Sequence, residues 1–194
     1  MRTHSMRKQL VYGAASVMIA VAAVTSFSGC SSPPDTAGAS ATPAPTMGMD
    51  ASWAEGYNNL ADLKAHSAIA VQGSFTRVIA QSSIKTIPIT DFEFTVDKVL
   101  NDPGHLVTAG AKLTVRQTGG TVDGVLHQTT DDPLFKISEN AVLFLKQPEP
   151  GLFYVVGGPT GRFEIVNGKV SPAARDGAKF AGSPADFAAA VKNS

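Results

Sequence analysis

The clearest pattern along the chain has a period of two. Over Ile87 to Leu100 (IPITDFEFTVDKVL), Phe92, Phe94 and Val96 alternate with Asp91, Glu93, Thr95 and Asp97. A strand with one face on a core and the other in water reads this way. Pro88 has no backbone N–H, so it belongs at the beginning of that strand or at an edge. Asn101, Asp102, Pro103 and Gly104 then supply turn chemistry. Lys112 to Gln117 (KLTVRQ) alternates again, with Leu113 and Val115 inward, and Gly119-Gly120 permits a tight reversal before Thr121 to Gln128.

Other segments predict strands by composition. Ala68 to Ile79 (AIAVQGSFTRVI) is apolar and β-branched, with Gly73 marking a bulge or sharp bend. Ala141 to Lys146 (AVLFLK) is almost continuously apolar, as a buried strand is. Gly151 to Gly157, Arg162 to Val166 and Lys169 to Ser171 follow, the last two joined through Asn167-Gly168, a strong hairpin signal. Helical spacing is confined to the ends. Tyr57 to His66 predicts a short helix, and Pro184 to Val191 a closing one, with Ser183 as N-cap and Phe187 and Val191 one turn apart. Strands joined mainly by hairpin turns, with helices only at the ends, predict a mainly β fold: an antiparallel, partly open barrel of the OB type or a two-sheet sandwich. Glycine inside a long strand favours the barrel.

The amino-terminal pattern is different. Arg2, Arg7 and Lys8 precede an uncharged run from Gln9 to Ser32 that contains the apolar stretch Leu10 to Cys30. This is the layout of a secretory signal peptide, and Met6 serves as a start as well as Met1. Phe27, Ser28, Gly29 and Cys30 resemble the lipobox of bacterial lipoproteins, with Phe27 where that family usually has Leu. The resemblance implies cleavage after Gly29 and a diacylglyceryl thioether on Cys30, which would hold the mature chain at the outer face of the cell membrane. The alternatives are an uncut membrane anchor or an incidental thiol. Ser31 to Gly48 is rich in Ser, Thr, Ala, Pro and Gly and reads as a tether. The expected organisation is therefore signal peptide 1–29, lipidated cysteine and tether 30–49, and a single globular domain 50–194.

Charge and cysteine content narrow the classes. The 16 basic and 16 acidic residues balance, but residues 1–29 hold three of the basic ones (Arg2, Arg7, Lys8) and no acid, so the mature chain carries −3. A mildly acidic, unclustered surface argues against a nucleic-acid partner. With one cysteine in the chain no internal disulfide forms, and the fold is held by burial.

Candidate chemistry is sparse. His66, His105 and His127 lack the close spacings of zinc sites, although a shared site could assemble in space. Asp131-Asp132-Pro133, with Asp123 before it, could offer carboxylates to calcium, but reads better as turn chemistry. Met47 and Met49 (MGM) are soft thioether ligands of the kind copper(I) takes, but with no nearby cysteine or histidine they read better as plain tether composition. Gly157, Gly158, Gly161 and Arg162 form the one stretch where backbone N–H groups and a guanidinium could gather around an anion or a peptide carboxylate. It is not a P-loop, and three glycines between strands also simply make a wide loop. There is no G-x-S-x-G elbow and no H-E-x-x-H, so no catalytic residue, metal or cofactor is assigned.

The succession FEFTVDKVL, LTVRQTGG, DDPLFKISENAVLFL and FYVVGGPTGRFEIVNGKV, from about Ala68 to Val170, resembles the globular domain of small secreted proteins and lipoproteins of Gram-positive bacteria. That resemblance implies a fold and a location but no reaction. The function expected is a membrane-anchored binding module for an envelope protein or polymer. An envelope hydrolase with a scattered active site, or a metal carrier, is the alternative.

Overall fold

A computed structural model describes residues 44–51 and 53–194. Phe27, Ser28, Gly29 and Cys30, and most of the expected tether, lie outside them. No helix among the described residues is long and apolar enough to cross a membrane.

The chain runs β1 (Thr46–Met49), α1 (Leu60–His66), β2 (Ile69–Ile84), β3 (Ile87–Asn101), β4 (Lys112–Thr118), β5 (Gly120–Val122), β6 (Val125–Thr129), β7 (Asn140–Glu149), β8 (Leu152–Val155), a 3-10 turn (Gly158–Gly161), β9 (Arg162–Val166), β10 (Lys169–Pro172) and α2 (Pro184–Asn193). The fold is mainly β with a helix near each end, as the pattern predicts. The large sheet has the order β10-β9-β7-β2-β3-β4-β8, and β8 also pairs with β7. Strands β7, β2, β3, β4 and β8 therefore form a five-membered ring, the partly open barrel. The ring is weakest at β8, which meets β4 over Thr114–Arg116 and β7 at Leu145, Lys146 and Glu149. The β4–β8 contact is parallel, an exception to the antiparallel pattern expected.

Period-two residues fill the barrel. Phe92, Phe94 and Val96 of β3 and Leu113 and Val115 of β4 point inward with Phe75 of β2. Phe135, from the loop between β6 and β7, stacks on Phe75 with ring centroids 4.1 Å apart and plugs one end. A second core lies outside the ring. Val142 and Phe144 of β7 meet Phe163 of β9, Leu63 of α1 and Phe187 and Val191 of α2, while Ala141, Leu143 and Leu145 face the barrel. Strand β7 is buried on both faces, which explains why its sequence runs apolar instead of alternating.

Gly73 sits at a register shift in β2, and a Cβ there would lie 2.0 Å from the Thr95 carbonyl oxygen, so the bulge requires glycine. Strand β2 continues five residues beyond the expected Ile79, through polar residues that pair with β3 and turn at Lys85-Thr86. Pairing with an existing strand, not intrinsic propensity, makes that extension. The outer ends of β2 and β3 leave Val78, Ile79, Ile84 and Ile87 exposed to solvent.

Two further differences concern turns. Gly119 and Gly120 do not make the reversal; they join β4 to β5, and the chain reverses at Asp123-Gly124, both with positive φ (49° and 77°). Asp-Gly is itself a two-residue hairpin signal. Asn167-Gly168 turns as expected, closing β9 onto β10 with φ of 51° and 73°. Thr46–Met49, expected as the end of a tether, forms the parallel partner of β6. Its side chains are largely exposed, so backbone pairing rather than apolar burial places it.

Candidate functional site

Arg162 opens β9 opposite Leu143 of β7. Its side chain is only 3% exposed and turns toward the loop that plugs the barrel. There it donates to Glu139 Oε1 at 2.7 Å, to Asp132 Oδ1 at 3.3 Å, to Glu164 Oε1 at 3.3 Å and to the Pro133 carbonyl at 3.0 Å. The guanidinium lies 4.9 Å from the Phe135 ring centre. Gln117 reinforces the same loop, accepting from Phe135 N–H at 3.0 Å and donating to the Pro133 carbonyl at 3.1 Å. The cation that the sequence offers to an anion is thus engaged by three carboxylates and a carbonyl, and works as a clamp on residues 132–139.

The same contacts describe Asp131-Asp132-Pro133. The Asp132 carbonyl accepts from Thr129 Oγ1 at 2.9 Å, closing a turn, and its carboxylate belongs to Arg162. Burial pushes the Asp132 carboxyl above the usual range, with Gln117 and Arg162 opposing. Asp123 stands apart in the β5–β6 turn. Among the described residues no group of three or more His, Cys, Asp or Glu side chains is arranged to hold a metal.

The three histidines occupy different elements. His66 ends α1, with Nδ1 2.9 Å from the Asp62 carbonyl and its ring 4.8 Å from Tyr57. His105 lies in the β3–β4 connection with φ 52°. His127 is in β6, in register with Met47 on one side and Gly120 on the other.

The glycine turn has a different role from the one its sequence suggests. Gly157 and Gly158 both adopt positive φ (62° and 56°). A Cβ on Gly158 would come within 2.3 Å of the Trp53 ring, and one on Gly157 within 2.4 Å of Thr160 Oγ1. The glycines make room for an aromatic side chain as well as a turn. The segment carrying Trp53 is held by Lys146 Nζ to Glu55 at 3.3 Å and by Tyr57 N–H to Thr160 Oγ1 at 3.3 Å. Trp53 Nε1 is buried and has no hydrogen-bond partner among the described residues.

Trp53 forms one wall of a cleft of about 560 Å³. Asp131 and Thr130 come from the plugging loop, Thr160 from the 3-10 turn, and Arg175 and Asp176 from the segment after β10, and Arg162 and Glu164 of β9 line it too. An aromatic face beside short polar chains of both charges suits a neutral or zwitterionic ligand rich in hydroxyl and amide groups. On the other side of Arg162 a groove of about 380 Å³ is lined by Lys136, Glu139, Asn140 and Asn167. Among the described residues neither is lined by a histidine. Sequence reasoning missed Trp53; its being the only tryptophan of the chain, near the start of the expected domain, was the available signal.

Comparison with protein-family models, curated proteins and solved structures gives no match for the chain.

Proposed function

We propose that the protein is a lipoprotein held at the outer face of the cell membrane through Cys30, and that its β domain binds an envelope component. The cleft beside Trp53 favours a polymer segment, glycan or peptide, over a folded protein, because it is concave, about 560 Å³ in size, and combines one aromatic face with Asp131, Thr160, Arg175 and Asp176. That cleft is the observation carrying the proposal. The lipobox-like Phe27-Ser28-Gly29-Cys30 supports the location, and the lack of disulfides is compatible with it.

The single tryptophan provides the readout. Titrating the protein with soluble glycan and peptide fragments of a Gram-positive cell wall is expected to shift Trp53 emission, and Trp53→Ala to abolish retention on the same material while still melting cooperatively, at a lowered midpoint. Unchanged emission together with equal retention of Trp53→Ala would remove the cleft from the account. Mass spectrometry of the membrane fraction checks the anchor separately, with a diacylglyceryl adduct on an amino-terminal Cys30 expected.

A further inference from the structure

The parallel pairing of β1 with β6 sets Met47 opposite His127 and Met49 opposite Thr129. Side chains two residues apart in a strand share a face, and so do register partners on neighbouring strands. Met47, Met49 and His127 therefore share one face of the small sheet, which has the order β1-β6-β5. The next residue across from His127 is Gly120, which adds no side chain there. Met47 is 54% exposed, and Met49 and His127 are partly exposed, so the face is open to a solute at its Met47 end, while Thr129 is buried at the other.

We propose that Met47, Met49 and His127 form a copper(I) site. Neighbouring strands are about 4.8 Å apart and alternate residues of a strand about 6.6 Å apart. Those spacings lie within the reach of two flexible thioether side chains closing on one imidazole. Thioether sulfur is a soft donor that selects copper(I) among biological metals, while imidazole serves copper and zinc alike. No carboxylate belongs to the set, so hard divalent cations find no charged ligand in it. Thioethers need no deprotonation and do not form disulfides, so this donor set persists in an oxidising compartment where a thiol pair would be lost. The two methionines are separated by one glycine, and a Cβ at Gly48 would meet only Thr130 Oγ1, at 3.6 Å. The pairing with β6, invisible in the linear sequence, is what brings a histidine to the M-G-M motif. The three donors are not among the residues lining the Trp53 cleft, which adjoins them at Thr130, and the membrane anchor takes no part in the site.

Copper(I) is kept reduced with ascorbate under anaerobic conditions and offered to the full chain carrying Cys30→Ser, in competition with a chromogenic copper(I) chelator. The substitution removes the thiol that would otherwise compete. One copper(I) per chain is expected, with X-ray absorption reporting mixed sulfur and nitrogen neighbours. Met47→Leu, Met49→Leu and His127→Gln are each expected to weaken binding about tenfold or more, since even an outer-shell partner commonly contributes that much. Leu for Met conserves volume, Met47 and Met49 lie on the exposed edge strand and His127 is partly exposed, so these variants are expected to melt like the parent without metal. Failure of the Cys30→Ser chain to take copper(I) from the chelator would overturn the proposal. So would equal affinity in the Leu and Gln variants, which would assign binding to other groups such as Met1, Met6 or Met18.

Discussion

At the scale of single residues, the fold turns on a few side chains that do more than their sequence neighbourhood suggests. Arg162 is the clearest. Its five donors are spread over Asp132, Glu139, Glu164 and the Pro133 carbonyl, and its plane lies against Phe135. Burying such a cluster is costly in itself, but removing one member strands the others without compensation. Arg162→Met is therefore expected to destabilise the protein by about 3–5 kcal/mol, read as a lowered urea midpoint. Phe135 and the plugging loop should loosen first, detectable as faster amide exchange over residues 132–139. The glycine loop ahead of Arg162 was legible as a loop and not as a seat for Trp53. Local sequence cannot say which aromatic ring will lie on a given turn.

At the scale of elements, the terminal helix was readable almost to the residue, because its determinants are local. Ser183 Oγ accepts from Asp186 N–H at 3.2 Å, and the Asp186 carboxylate accepts from Ser183 N–H at 3.1 Å, a reciprocal cap. The hydrogen bonds from Ser183 hold the Asp186 carboxyl below its usual range. At the other end of α2, Lys64 of α1 donates to the Val191 and Ser194 carbonyls at 2.9 Å, which favours a cation at a helix C-terminus. Ser183→Ala is expected to cost about 1 kcal/mol, measured by chemical denaturation, with Phe187 loosening in the second core. Strand β7 was equally legible, since burial on both faces leaves a continuous apolar run. The last five residues of β2 and the strand Thr46–Met49 were not, because exposed, largely polar segments become strands only when a neighbour offers its backbone.

For the whole molecule, the barrel exterior is tied together by ionic pairs across β2, β3 and β4. Glu93 of β3 receives Arg77 of β2 at 2.9 Å and Lys112 of β4 at 3.1 Å, and Asp91 receives Arg116 of β4 at 2.6 Å. The hydrogen bonds from Arg77, then Thr76 and Lys112, bring the Glu93 carboxyl from 4.5 down to about 2. A carboxyl held low in the folded state stabilises that state above its unfolded value, and the contribution is lost as pH falls from about 4.5 through about 2. Asp132 acts in the opposite sense: burial raises its value, so its contribution is greatest at low pH and declines as pH rises through the folded value. Glu93→Gln is expected to lower stability at neutral pH and to flatten the acid limb of a urea-midpoint profile between about pH 4.5 and 2. An unchanged limb would mean that other carboxylates carry the acid sensitivity.

The mainly β architecture, its inward faces on β3 and β4, the Asn167-Gly168 hairpin and the closing helix were determined by sequence alone, since periodicity, caps and turn residues act over a few positions. Tertiary structure alone decided which strands meet: the closure of β8 onto β7 and β4, the capture of Arg162 by three acids, the Trp53 wall of the cleft and the placing of His127 beside Met47. Each joins residues distant along the chain through backbone pairing or burial, and neither leaves a local trace in the order of amino acids.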